Sequence, residues 1–227
     1  VAILAGFYPV MLSLNQKKCV VVGGGTVAAR KVRGLLEGGA DSVVVVSPQS
    51  CGELERLASE GSIRLVRREY KEEDAEGAFL LVAAADDPAV NRMAVRTAEK
   101  AGALVNAADA FESGGFVTPA VVRRGDLVIA VTTAGASPAL AGLIAGELGE
   151  RYGEDYARRL DKLRSLRDRL AAETADGTLK RVVLRMAAAE MLHDRRGETQ
   201  AGTADRRNEP IEQWMLRLLA AAGGGQL

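Results

Sequence analysis

The stretch Val20-Val21-Val22-Gly23-Gly24-Gly25-Thr26-Val27-Ala28-Ala29-Arg30-Lys31 decides the fold. Three β-branched residues run directly into three glycines, and an alanine-rich segment of helical pattern follows. Residues 23–28 match G-x-G-x-x-A between a buried strand and the start of a helix, the one context in which that string has a mechanism. At Gly23 the chain can turn tightly, at Gly25 the missing side chain lets backbone approach a pyrophosphate, and Ala28 lets helix and strand pack closely. The helix start offers free N–H groups and the positive end of its dipole to phosphate oxygens. The reading is a dinucleotide-binding strand–turn–helix, weighed against a plain glycine turn in an α/β protein.

The flanking residues repeat the same alternation of apolar runs and helical patterns, which predicts a parallel sheet with crossover helices. Strands are expected at 9–14, 19–22, 43–46, 63–66, 79–84 and 103–106, and helices at 27–37, 50–60 and 88–100, with a short acidic helix at 71–76. From residue 116 the rhythm changes. An extended segment at 116–122, a turn at Arg123-Arg124-Gly125-Asp126 and a strand at 127–132 predict a hairpin rather than a βαβ unit. Ser137-Pro138 then starts a helix through about 148, Ser as N-cap and Pro at the first position. Beyond Tyr152 the pattern is helical, with Leu160, Leu163, Leu166 and Leu170 in register and further helices at 182–192 and 211–221; residues 195–208 are polar. The fold class is therefore α/β, a Rossmann-like parallel sheet followed by a small α+β domain and a helical domain, divided at 1–114, 115–152 and 153–227.

Composition narrows the function classes. The chain has 227 residues, 30 basic and 30 acidic, so no global field favours nucleic acid or a membrane surface. Two cysteines, Cys19 and Cys51, make no disulfide framework, and one histidine, His193, is too few for a His-based metal site, so no bound metal is expected. No basic region precedes the apolar opening, Pro9 interrupts it, and no run of about 18 uncharged apolar residues occurs. A cytoplasmic chain with reduced thiols is the expectation.

The acidic residue that usually holds an adenosine ribose should fall after the second strand. There the sequence reads Ser47-Pro48-Gln49, with no arginine immediately beside it to grip a 2′-phosphate. The choice between NAD and NADP stays open on these residues.

Five ordered blocks resemble one family. Tyr8-Pro9-Val10 with the glycine stretch, Ala83-Ala84-Ala85-Asp86-Asp87 with Val90-Asn91, Val105-Asn106-Ala107-Ala108-Asp109, Phe116-Val117-Thr118-Pro119-Ala120, and residues 132–141 around Ser137-Pro138-Ala139 resemble the precorrin-2 dehydrogenases, the oxidase part of siroheme synthases. The resemblance covers about residues 8–148. It departs from the usual pattern at 110–115, Ala-Phe-Glu-Ser-Gly-Gly. It implies NAD-dependent oxidation of precorrin-2, a tetrapyrrole, to sirohydrochlorin by a homodimer whose middle domain dimerises. It implies Gly23, Gly25, Thr26, Val27, Ser47 and Pro48 as cofactor positions and Asp109 as the catalytic carboxylate. Asn106 and Thr133 are implied as substrate contacts. A base is chemically reasonable there, because dehydrogenation releases a proton as well as a hydride; the plain alternative for Asp109 is a cap or solvated loop residue.

A substrate bearing many carboxylates calls for cations. Arg30, Lys31, Arg33, Arg123, Arg124, Arg158, Arg159, Lys162, Arg164, Arg167 and Arg169 are the candidates, each set against a solvated helix face. Two other readings compete: a ferrochelatase on the same fold, and a nucleotide-sensing module without catalysis.

Overall fold

A computed structural model describes residues 6–108, 114–193 and 209–223. The chain divides into two compact units, Val1–Pro119 with Ala134–Ala136, and Ala120–Thr133 with Ser137–Leu227.

The first unit is a five-stranded sheet in the order β3-β2-β1-β4-β5, every pair parallel. The strands are β1 (Lys18–Val22), β2 (Ser42–Val46), β3 (Arg64–Val66), β4 (Leu80–Ala83) and β5 (Leu104–Ala107). Helices α1 (Thr26–Glu37), α2 (Gly52–Ser59) and α3 (Pro88–Lys100) cross between strands, and a 3-10 turn spans Glu72–Ala75. The valine runs follow from burial on both faces. Cys19, Val21, Val43, Val45, Leu80 and Val82 pack on one side with Ala28, Ala29, Val32 and Leu35 of α1. Val20, Val22, Val46, Leu81 and Ala83 pack on the other with Ala94 and Ala98 of α3. Period-2 side-chain alternation puts neighbours on opposite faces, so a strand covered twice must be apolar throughout. Each fully buried valine contributes roughly 1.5–3 kcal/mol.

The leading strand expected at 9–14 is a correction. Those residues have no regular structure and pair with no described strand; Leu14 alone among them is buried, at the margin of the first core. Apolar composition alone does not make a strand; the backbone must also pair, and this segment does not. The short acidic helix is the 3-10 turn instead, and α3 has the expected bounds.

In the second unit, β6 (Ala120–Arg124) and β7 (Leu127–Val131) form an antiparallel hairpin with Arg124 opposite Leu127. The turn is therefore Gly125-Asp126 alone, tighter than the four residues expected. Gly125 takes φ +58, where a Cβ would lie 3.0 Å from the Ala157 Cβ. Arg124 belongs to the strand and donates to the Gly149 carbonyl at 3.0 Å. Helix α4 (Pro138–Arg151) is capped by Ser137, whose hydroxyl accepts from the Leu140 N–H. Helices α5 (Asp155–Glu173), α6 (Gly177–His193) and α7 (Ile211–Gly223) share a core of Leu166, Leu170, Val183, Ala187, Trp214 and Leu218. The polar stretch at 195–208 lies outside the described residues.

Candidate functional site

The chain steps outward from β1 to β2 and β3, then returns to place β4 on the other side of β1. Connections leave β1 and β4 in opposite directions, which opens a crevice at the carboxyl edge between them. A cleft of about 250 Å³ lies there, lined by Gly25, Thr26, Val27, Ala84, Ala85, Asp86, Asn91 and Ala108.

Backbone contact shapes its first wall. Gly23 has φ +120, and a Cβ on it would stand 2.2 Å from the Ala84 carbonyl oxygen. Gly24, the unspecified position in G-x-G-x-x-A, is just as constrained: a Cβ would meet the Gln49 carbonyl oxygen at 1.9 Å and the Ser47 hydroxyl at 2.7 Å. The motif does not specify that glycine; the triple glycine was its only signal. Gly25 differs, since a Cβ there would meet nothing within 4 Å. It caps α1 without a side chain, leaving the first-turn N–H groups uncapped by any side chain, beside the exposed Thr26 and Val27. Open space over Gly25 before an uncapped helix start fits the pyrophosphate of a dinucleotide.

The opposite wall is held by Asn91. Its amide donates to the Ala85 carbonyl and accepts from the Ala85 N–H, each at 2.9 Å, and the side chain is buried. After β2, the buried Ser47 hydroxyl donates to the Gln49 carbonyl at 2.6 Å, and Pro48 is exposed. The Cys51 N–H donates to the Gly24 carbonyl at 2.8 Å, so the loop after β2 seats directly on the glycine loop.

Beyond β5 the chain reaches the cleft at Ala108. Asp109 itself lies outside the described residues. The chain returns at Gly114, which bridges Asn106, while the Gly115 N–H donates to the Val105 carbonyl at 2.9 Å. Asn106 is buried here; its amide donates to the Phe116 carbonyl at 3.0 Å and accepts from the Lys31 ammonium at 2.9 Å. Lys31 also donates to the Thr118 hydroxyl at 2.7 Å. Burial holds the Lys31 ammonium below the ordinary lysine value, and neighbouring Arg30 pushes the same way. In sequence Lys31 is one cation among many; its role as a link between α1 and β5 depends on contacts 75 and 87 residues away.

Thr133 belongs to the second unit, just after β7, and its hydroxyl accepts from the Ser137 N–H at 3.0 Å. Several candidate cations are engaged within their own units. Arg33 pairs with Glu53 at 2.7 Å, Arg159 with Asp155 at 2.8 Å, and Arg169 with Glu212 at 2.7 Å. Among the described residues no group of three or more His, Cys, Asp or Glu side chains is placed to hold a metal ion. No helix among them is long and apolar enough to cross a membrane.

A family model described as NAD(P)-binding matches residues 10–120, and the first unit is such a domain. The chain is 39% identical over 151 residues to the precorrin-2 dehydrogenase of Priestia megaterium, covering 66% of this chain and 74% of that protein. It is 38% identical over 175 residues to the siroheme synthase of Chromobacterium violaceum, covering 77% of this chain but 37% of that longer protein. The solved structure of SirC, a precorrin-2 dehydrogenase, superposes with a TM-score of 0.71 at 30% identity, over 93% of this chain and 98% of that one.

Proposed function

The chain belongs to the precorrin-2 dehydrogenase family, and we propose that it oxidises precorrin-2 to sirohydrochlorin with NAD, on the route to siroheme, as a cytoplasmic homodimer. The observation that carries this is the cleft at the β1–β4 switch point, with open backbone at Gly25 on one wall and the chain leading to Asp109 on its rim.

In this reading Gly23 shapes the turn, and Gly25, Thr26 and Val27 present backbone to the pyrophosphate. Ser47 and Pro48 line the adenosine end. Bound NAD supplies the hydride acceptor. The protein must take the accompanying proton, and Asp109, next in sequence after the cleft-lining Ala108, is the base in this reading. Asn106 and Thr133 are assigned to the substrate. For Asn106 this means fixing the chain beside it through Lys31 and Phe116 as well as meeting the tetrapyrrole. Dimerisation is assigned to residues 115–152, where Leu140, Leu143 and Ile144 of α4 and Val121 of β6 are exposed apolar side chains. Residues 1–114 serve as the cofactor domain and 153–227 as the helical domain.

Incubating purified protein with NAD and precorrin-2 tests the activity: NADH should appear together with a shift in the visible spectrum of the macrocycle. Folded protein with no turnover would overturn the reading. Asp109→Asn should lose turnover and keep NAD affinity; an active variant would remove Asp109 from the mechanism.

A further inference from the structure

The strand end that usually carries an acid for the adenosine ribose has none, yet the structure brings both an acid and an arginine to that loop from elsewhere. Glu55, in the first turn of α2, accepts from the Ser50 hydroxyl through one carboxylate oxygen and from the Arg67 guanidinium at 2.5 Å through the other. Arg67 follows β3, and the Ser47 N–H donates to the Val66 carbonyl at 3.1 Å, so the ends of β2 and β3 lie side by side. The neighbouring Arg68 is turned elsewhere, held by both oxygens of Asp74 at 2.7 Å. The loop carrying Ser50 is the same one that seats on Gly24 through Cys51 and Gln49.

We infer that the Ser50–Glu55–Arg67 chain sets the preference of this site for NAD over NADP. The inference rests on the dinucleotide reading of the glycine loop. In parallel α/β sheets of this kind the adenosine 2′ position lies by the loop after the second strand, where an acid favours the free hydroxyl and an arginine accommodates a 2′-phosphate. Here the arginine is already satisfied by a charge-assisted bond to the acid. A 2′-phosphate could recruit Arg67 only by pulling it from Glu55 and leaving that carboxylate bare beside a second anion. A 2′-hydroxyl demands nothing of the pair. The two side chains are 58% and 42% exposed, so the pair adds little to folding and is open to a ligand. Hydrogen bonds from Arg67 and then Ser50 hold the Glu55 carboxyl below the usual carboxylate range, so it is charged at neutral pH.

The sequence hid this site because Arg67 is 20 residues beyond Ser47 and Glu55 is one turn inside a helix. Proximity in space, through the parallel β2–β3 pairing, makes them neighbours.

The test is the dissociation constants of NAD and NADP, measured by titration calorimetry on the purified chain and two variants. Glu55→Gln releases Arg67 and should tighten NADP about tenfold relative to NAD. Arg67→Ala leaves the carboxylate unneutralised and should weaken NADP further while NAD is held. Opposite shifts from the two halves of one ion pair are the signature, since a purely structural pair would move both variants the same way. An unchanged NADP-to-NAD ratio in Glu55→Gln, or shifts of the same sign in both variants, overturns the inference and leaves the dinucleotide reading intact. A wild-type chain that binds neither nucleotide overturns both.

Discussion

Two loops meet at the carboxyl edge of the same sheet and are held there by opposite means. The loop after β1 is fixed by missing side chains: at Gly23 and Gly24 the neighbouring backbone occupies the space a Cβ would need. The chain after β5 is fixed by side chains that are present, Lys31 and Asn106, which tie α1, β5, Phe116 and Thr118 together. At Gly23 and Gly24 the first loop therefore tolerates no added atom, and the second tolerates no lost hydrogen bond. Steric exclusion by backbone is abrupt, whereas a polar link is graded and, where it carries charge, depends on pH.

The largest effect should come from Gly24→Ala. A methyl group 1.9 Å from the Gln49 carbonyl oxygen has no flexible neighbour to displace. The loop after β2 would have to withdraw, breaking the Cys51 N–H bond to the Gly24 carbonyl. Overpacking against backbone should cost roughly 2–4 kcal/mol, read from urea unfolding. A wild-type midpoint would show that the loop after β2 yields, and the contrast between the two regions would collapse.

Asn106→Leu comes next. It removes the acceptor for Lys31 and the donor to the Phe116 carbonyl while keeping much of the volume. Leaving those partners unsatisfied should cost about 1–3 kcal/mol by the same measurement. A stable variant would mean that the Gly114 bridge and the Gly115 N–H hold this chain unaided.

The second region is centred on a charged group, the Lys31 ammonium. Lys31 has a native value lowered chiefly by burial, so in the window just below 10.5 the unfolded chain holds more protons than the native one. Stability conferred by this site must then rise with pH through that window, because the cost of keeping a charge half-buried is relieved there. The unfolding free energy of wild type minus that of Lys31→Met should increase as pH is raised from neutral toward 10.5. A flat difference would show that the ammonium is no worse off in the fold than in water.

The same contrast explains what could be read beforehand. The order of strands and helices from β1 to β5 was legible because each valine run and each apolar helix stripe is a local pattern, imposed by burial on two faces. Gly23, Gly25 and Ala28 were legible for the same reason, as one short string. Asn91 and Asn106 stand inside short sequence blocks shared with the family, but their hydrogen bonds depend on where the sheet edge brings Ala85, Phe116 and Lys31. Gly24 looked like an unspecified position because its constraint comes from Gln49, across the β1–β2 pairing. The leading strand at 9–14 failed on the reverse count: its apolar composition was real, but the segment pairs with no described strand.

Gly25→Ala should have the smallest effect on the fold and separates architecture from function within the glycine loop itself. Gly25 has φ −80, which any residue adopts, and its Cβ would point into open space. Stability should therefore stay within about 0.5 kcal/mol of wild type, as for surface changes away from packed features. Yet the methyl group would stand over the uncapped start of α1, where a phosphate must approach the backbone closely. Dinucleotide affinity should fall about tenfold or more, a loss of at least about 1.4 kcal/mol in binding. Measured beside Gly24→Ala, the variant divides the loop in two: one glycine required by neighbouring protein, the next by a ligand. If Gly25→Ala binds NAD as wild type does, the open space over that residue is not where the pyrophosphate lies, and the glycine loop is structural throughout.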